Sequence, residues 1–131
     1  MPTSTAKVLL VEDEPLILFT LADYLREEGL EVVEGRDAVQ ALKALAIHSD
    51  ISVVVTDVNM PGLIDGLELT QIVKRQFPLL PVIVCSGRVR KEQMPFGAIF
   101  IPKPYRLEDM SKLIMELILS GIDRSPAAPH E

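Results

Sequence analysis

Val53-Val54-Val55-Thr56-Asp57 is the stretch on which the reading of this chain turns. Three consecutive valines do not alternate with polar residues, so both faces of the strand they form must be covered. That is the mark of a central strand in a parallel sheet. The run then stops at a carboxylate. Three other short apolar runs stop in the same way. Val8-Leu9-Leu10-Val11 ends at Glu12-Asp13, Val82-Ile83-Val84-Cys85 at Ser86, and Ala98-Ile99-Phe100-Ile101-Pro102 at Lys103. In open α/β sheets the ligand site lies at the carboxyl ends of the strands. Three acids, a hydroxyl and an ammonium are therefore expected at one edge.

The segments between these runs read as helices. Strands are expected at Lys7 to Val11, Glu31 to Gly35, Ile51 to Thr56, Pro81 to Cys85 and Ala98 to Ile101. Pro15 suits the first turn of a helix whose apolar face is Leu16, Leu18, Phe19, Ala22 and Leu25, with Gly29 as its C-terminal cap. Asp37 caps a second helix, with Gln40 in capping-box spacing and Val39, Leu42, Leu45 and Ala46 inward. Pro61-Gly62 and Asp65-Gly66 mark a loop. Leu67, Leu69, Ile72, Val73 and Phe77 define a third helix. Leu107, Met110, Leu113, Ile114, Leu117 and Ile118 define the last. Strand and helix alternate, and right-handed crossovers place helices on both faces of a doubly wound, five-stranded parallel sheet.

One domain accounts for the 131 residues, over roughly 6–121, with a short lead at 1–5 and a Pro/Ala-rich tail at 122–131 expected to be disordered. The net charge of −6 and the lack of a basic run argue against nucleic-acid binding. A single cysteine excludes an internal disulfide and fits a reducing compartment. Neither a signal segment nor a membrane-length apolar run is present, so a cytoplasmic location with no membrane partner is expected.

Asp57 is the candidate centre. A carboxylate there can act as a nucleophile toward phosphorus and form an aspartyl-phosphate. Glu12, Asp13 and Asp57 offer oxygen ligands for Mg²⁺, directly or through water, and a backbone carbonyl just after Asp57 offers another. Lys103 supplies a point positive charge and Ser86 a hydroxyl. Any one of these residues alone would be an ordinary loop residue or helix cap. Four strand ends carrying complementary groups are a different matter. Cys85 is expected to be a core thiol, and His48 and His130 have no partner suggesting phosphorelay chemistry.

The motifs Val11-Glu12-Asp13-Glu14, Thr56-Asp57-Val58-Asn59-Met60-Pro61-Gly62, Val84-Cys85-Ser86-Gly87 and Pro102-Lys103-Pro104-Tyr105 resemble those of the receiver domain of two-component response regulators. The resemblance implies a flavodoxin-like strand order, 2-1-3-4-5. It implies that Asp57 accepts a phosphoryl group from a histidine kinase or a histidine phosphotransfer protein. Asp13, Asp57 and the carbonyl of Asn59 would bind Mg²⁺, with Glu12 acting through water. Ser86 and Lys103 would contact the phosphoryl group, and Phe100 would turn inward as Ser86 moves. A cis Lys103–Pro104 bond is also implied. Signalling would then pass by contact with a downstream protein, and the domain would catalyse only its own phosphorylation and dephosphorylation. A phosphate sink or a phosphorelay shuttle would use the same chemistry.

Three departures from the family pattern stand out. Glu12 replaces the commoner Asp, and Leu63-Ile64 lengthens the loop by one residue. The span from Ser86 to Lys103 is several residues short, and Pro95 and Gly97 lie within it. The helix before the fifth strand, the family's fourth, is therefore expected to be short or absent. A rival reading is an aspartate-nucleophile phosphatase of the haloacid-dehalogenase type. Such enzymes need a second acid two residues after the nucleophile, where this chain has Asn59. Glycine-rich nucleotide-binding motifs are lacking. A pure interaction module would need no such acceptor set.

Overall fold

The computed structural model describes residues 6–88, 91–95 and 97–123. The lead at 1–5 and the tail from 124 onward, including His130, lie outside the described residues, as does Arg90. In chain order the elements are β1 (Lys7–Val11), α1 (Pro15–Glu27), β2 (Glu31–Gly35), α2 (Ala38–Ile47), β3 (Ile51–Asp57), α3 (Gly66–Gln76), β4 (Val82–Ser86), β5 (Ile99–Pro102) and α4 (Leu107–Asp123). The five strands form one parallel sheet in the order β2-β1-β3-β4-β5. Between β4 and β5 the described residues make a three-residue 3-10 turn, Lys91–Gln93. The shortening expected there is observed. The final helix, α4, runs to Asp123.

Each face of the sheet has its own core. Val8, Leu10, Val53, Val55, Ile83 and Cys85 pack under Leu18, Leu21, Ala22 and Leu25 of α1 and Met110 and Ile114 of α4. Leu9, Val11, Val54, Val82 and Val84 pack under Ala38, Ala41, Ala44 and Leu45 of α2 and Leu69 and Val73 of α3. The buried β3 valines point alternately into the two cores, which is why the run carries no polar alternation.

Two helix faces differ from expectation. In α1, Leu16 and Phe19 are 76% and 66% exposed, and Leu21 takes the inward position instead. In α2 the inner face is a row of alanines; Val39 is exposed, Ala46 is exposed and Leu42 is half-buried. Small side chains let α2 lie close to the sheet, so the larger aliphatic residues fall to its flank. Helix ends follow local chemistry. Pro15 opens α1, and Gly29, at φ +94°, follows its C-cap. Asp37 Oδ1 accepts from Gln40 N at 2.8 Å, but Gln40 Oε1 accepts from Arg36 N, one residue before the cap, so the expected box is shifted. A complete capping box is instead made by Asp65 and Glu68 at α3.

β2 and β5 are the sheet edges. Arg26 of α1 donates to the carbonyl of Val32 at 3.0 Å and pairs with Glu34 at 2.9 Å, so its guanidinium lies over the outer side of β2. β5 is four residues long and ends at Pro102.

Candidate phosphoryl-acceptor site

The carboxyl ends of β1, β3, β4 and β5 bring the candidate residues together. Glu12 and Asp13 follow β1, Asp57 is the last residue of β3, Ser86 is the last of β4, and Lys103 follows β5. Lys103 Nζ lies 3.1 Å from Glu12 Oε1 and 3.3 Å from Asp57 Oδ1. The carboxylate oxygens of Glu12, Asp13 and Asp57 lie within 4.8 Å of one another. Backbone donors hold two of the acids in place. Val58 N donates to Asp57 Oδ1 at 2.9 Å, and Glu14 N donates to Glu12 Oε2 at 3.2 Å. Lys103 N donates to the Ser86 carbonyl at 2.9 Å, joining the β4 and β5 ends. Ser86 Oγ accepts from Arg88 N at 3.1 Å, and Arg88 itself is exposed.

One ammonium faces three carboxylates, and burial decides the electrostatics. Asp57 and Glu12 are each about nine-tenths buried. Desolvation raises the Asp57 carboxyl above its usual range, against the pull of Lys103. Burial likewise raises Glu12, and the Asp57 charge adds to that rise. Burial works against the Lys103 ammonium, but Asp57 and Glu12 outweigh it and hold the group charged. The lysine's gain and the acids' loss have one origin, an excess of negative charge in a half-dry site. A hard divalent cation would relieve it. The donors are all carboxylate oxygens, which suits Mg²⁺ rather than a soft metal.

The remaining expected residues lie around this centre. Asn59 sits in the exposed part of the β3–α3 loop, two residues past Asp57. Phe100 lies on β5 in register with Val84, and Val84 with Thr56, so it shares a row that runs beside Asp57. It is half-buried. The Lys103–Pro104 peptide is cis, as the resemblance implies. Cys85 is buried, and desolvation pushes its thiol up to about 12, which removes thiolate chemistry near neutral pH. Tyr105 is also pushed up, chiefly by burial. His48 follows the end of α2, at the opposite end of the sheet.

Two contributors escape a sequence reading. The Asp65-Gly66 pair reads as turn chemistry, yet Gly66 serves close packing. A Cβ there would overlap the Asp57 carbonyl oxygen and come within 2.7 Å of Val58 Cα. Gly66 N donates to Val58 O at 2.8 Å, so α3 starts directly against the Asp57–Val58 backbone. Thr56 is the second: its Oγ1 donates to the Asp57 carbonyl at 2.9 Å. A hydroxyl at the end of an apolar run is the only signal the sequence offers for it.

Comparison with known proteins agrees with this geometry. Residues 8–115 match the family model of the response regulator receiver domain. The response regulator protein FleR of Pseudomonas aeruginosa is 38% identical over 92% of this chain, and the match covers 26% of FleR. A putative NtrX-like response regulator of Rickettsia conorii is 35% identical over 85% of this chain and 24% of its own length. The chain thus spans about a quarter of the length of these curated relatives. A response regulator receiver domain from Clostridium thermocellum superposes with a TM-score of 0.84 at 28% identity, covering 92% of this chain and 99% of that one. The sheet order, the strand-end residues and these matches lead to one conclusion: the chain belongs to the response regulator receiver domain family.

Proposed function

We propose that Asp57 is the phosphoryl acceptor of a signalling switch fed by a histidine kinase or a histidine phosphotransfer protein. The observation that carries this reading is the juxtaposition of Asp57 with Lys103 at 3.3 Å inside a cluster of three carboxylates. An Asp57 carboxylate oxygen forms the bond to phosphorus as the bond from phosphorus to the donor's imidazole nitrogen breaks, and the imidazole leaves. Asp13, Asp57 and the Asn59 carbonyl would hold Mg²⁺, with Glu12 acting through water. The metal supplies charge neutralisation for the transferring group. Lys103 gives a fixed positive charge to a phosphoryl oxygen, a pattern suited to a transfer whose charge is spread over several oxygens. Ser86 donates its hydroxyl to the same group. The phosphoryl group brings further charge and strong acceptors beside β4, and Ser86 and Phe100 respond to it. That shift is what a downstream protein would read.

The decisive experiment is incubation with Mg²⁺ and a small phosphodonor, read by intact mass. The native protein gains one phosphoryl group and Asp57→Asn gains none. No gain by the native protein from either the small donor or a phosphorylated histidine phosphotransfer protein sinks the reading. For the switch, a beryllofluoride adduct at Asp57 should move the ring resonances of Phe100. Unmoved resonances would remove Phe100 from the mechanism and leave the acceptor chemistry standing.

A further inference from the structure

We propose that Arg36 is a positioning residue for the metal-binding acids, holding the main chain of Asp13 from the neighbouring turn. The proposal rests on the reading of Glu12, Asp13 and Asp57 as the Mg²⁺ site.

Arg36 is the first residue after β2, and nothing in the acceptor motifs includes it. Its Nη2 donates to the Asp13 carbonyl at 3.1 Å, across 23 positions of sequence. The residue before it makes the companion bond: Glu12 N donates to Gly35 O at 3.0 Å. Successive residues of the β2–α2 turn therefore grip successive residues of the β1–α1 turn, one through main chain and one through a side chain. Arg36 is itself braced. Its N–H donates to Gln40 Oε1 at 2.7 Å, and Gln40 N donates to Asp37 Oδ1 at 2.8 Å. The helix cap of α2 thus anchors the arginine that holds the acid loop.

The choice of acceptor matters. A cation paired with the Asp13 carboxylate would compete with a metal for the same oxygens. A guanidinium on the Asp13 carbonyl brings positive charge to the rim of the cluster and leaves the carboxylate oxygens to the cation. The planar, always-charged fork of arginine suits this; an ammonium on a flexible stem would hold the carbonyl less firmly. The shifted capping bond of Gln40 then has a purpose. It fixes the backbone from which Arg36 reaches.

The test is a Mg²⁺ titration followed by the backbone amide resonances of Asp13 and Asp57, for the native protein, Arg36→Gln and Arg36→Lys. Metal-free melting temperatures are measured alongside. Losing one charge-assisted bond to the loop should raise the Mg²⁺ dissociation constant of Arg36→Gln about three- to tenfold, with the metal-free melting temperature nearly unchanged. Arg36→Lys should fall between the two. An unchanged dissociation constant in Arg36→Gln overturns the proposal. So does a weakening that only follows a lowered metal-free melting temperature, since that is what a structural staple would give. If the native protein itself shows no Mg²⁺ response, the metal reading fails and this proposal with it. If the native protein responds and Arg36→Gln matches it, only the role of Arg36 is lost.

Discussion

At the amino end of the sheet Lys7 Nζ lies 3.1 Å from Asp50 and 3.7 Å from Glu31; at the carboxyl end Lys103 Nζ lies 3.1 Å from Glu12 and 3.3 Å from Asp57. The two arrangements are chemically alike, a lysine between two acids. Their surroundings differ. The side chains of Asp50 and Glu31 are 65% and 58% exposed, whereas those of Glu12 and Asp57 are each 10% exposed. The Lys7 hydrogen bond accordingly lowers the Asp50 carboxyl, while burial raises Glu12 and Asp57. An exposed acid takes its lysine as a small bonus, because water already solvates it. A buried acid in excess over its lysine remains under-solvated, and a metal or phosphoryl group can change its state. Burial, more than the identity of the partners, separates the two arrangements.

The contrast can be broken most sharply through the backbone beneath Asp57. Gly66→Ala drives a methyl into the Asp57–Val58 main chain, so the carboxyl-end cluster must shift or α3 must lift. The expected cost is about 2 kcal/mol or more of stability, in the range of overpacked cores. Urea unfolding measures it, and Mg²⁺ affinity should fall as well. A glycine-to-alanine change at this site that leaves both unaltered would show that the close approach is soft.

A smaller effect sharpens the comparison through pH. The raised carboxyls of Asp57 and Glu12 favour their neutral forms in the fold, so the stability they confer is complete below their unfolded values. It is lost as pH rises through their folded values. Asp57→Asn removes one of the crowded charges. Without metal it should be more stable than the native protein at pH 7 by about 1 kcal/mol, the size typical of a single well-placed substitution. The difference should shrink as pH falls through the raised folded values and be gone by about 4, where free carboxyls protonate. Asp50 has the opposite sense, with stability present above its unfolded value and lost as pH falls. Asp50→Asn should therefore leave the protein slightly less stable at neutral pH, and less so in high salt. Melting curves from pH 3.5 to 7 in chelator check both, and a native protein more stable than Asp57→Asn at pH 7 contradicts the account of the cluster.

The sheet and the strand-end residues were legible because each signal is local. A β-branched run and the polar residue that ends it sit side by side in the chain. The shortening before β5, where the described residues make a three-residue 3-10 turn, was legible by subtraction, since the span from Ser86 to Lys103 leaves room for two helical turns at most. Helix faces were less so. In α1 apolar residues are spread round the helix, and periodicity alone could not choose Leu21 over Phe19. In α2 the buried alanines weigh little on a hydrophobicity scale, so the larger Val39 drew the assignment although it lies outside. Gly66 and Arg36 were illegible for a different reason. Their roles are contacts between turns distant in sequence, and no local pattern encodes them.

The blunted margins of the sheet bear on how molecules of this chain can associate. An open β edge invites another strand to continue the ladder, the route to fibrils and to promiscuous pairing. Arg26 already occupies an outward carbonyl of β2, and the flanking Glu31 and Glu34 would set charge against charge in a symmetric pairing. At the other margin, four residues ending in Pro102 offer a short template with a donor missing at its end. Self-association through the sheet is disfavoured at both sides, so copies that do meet must use helices or loops.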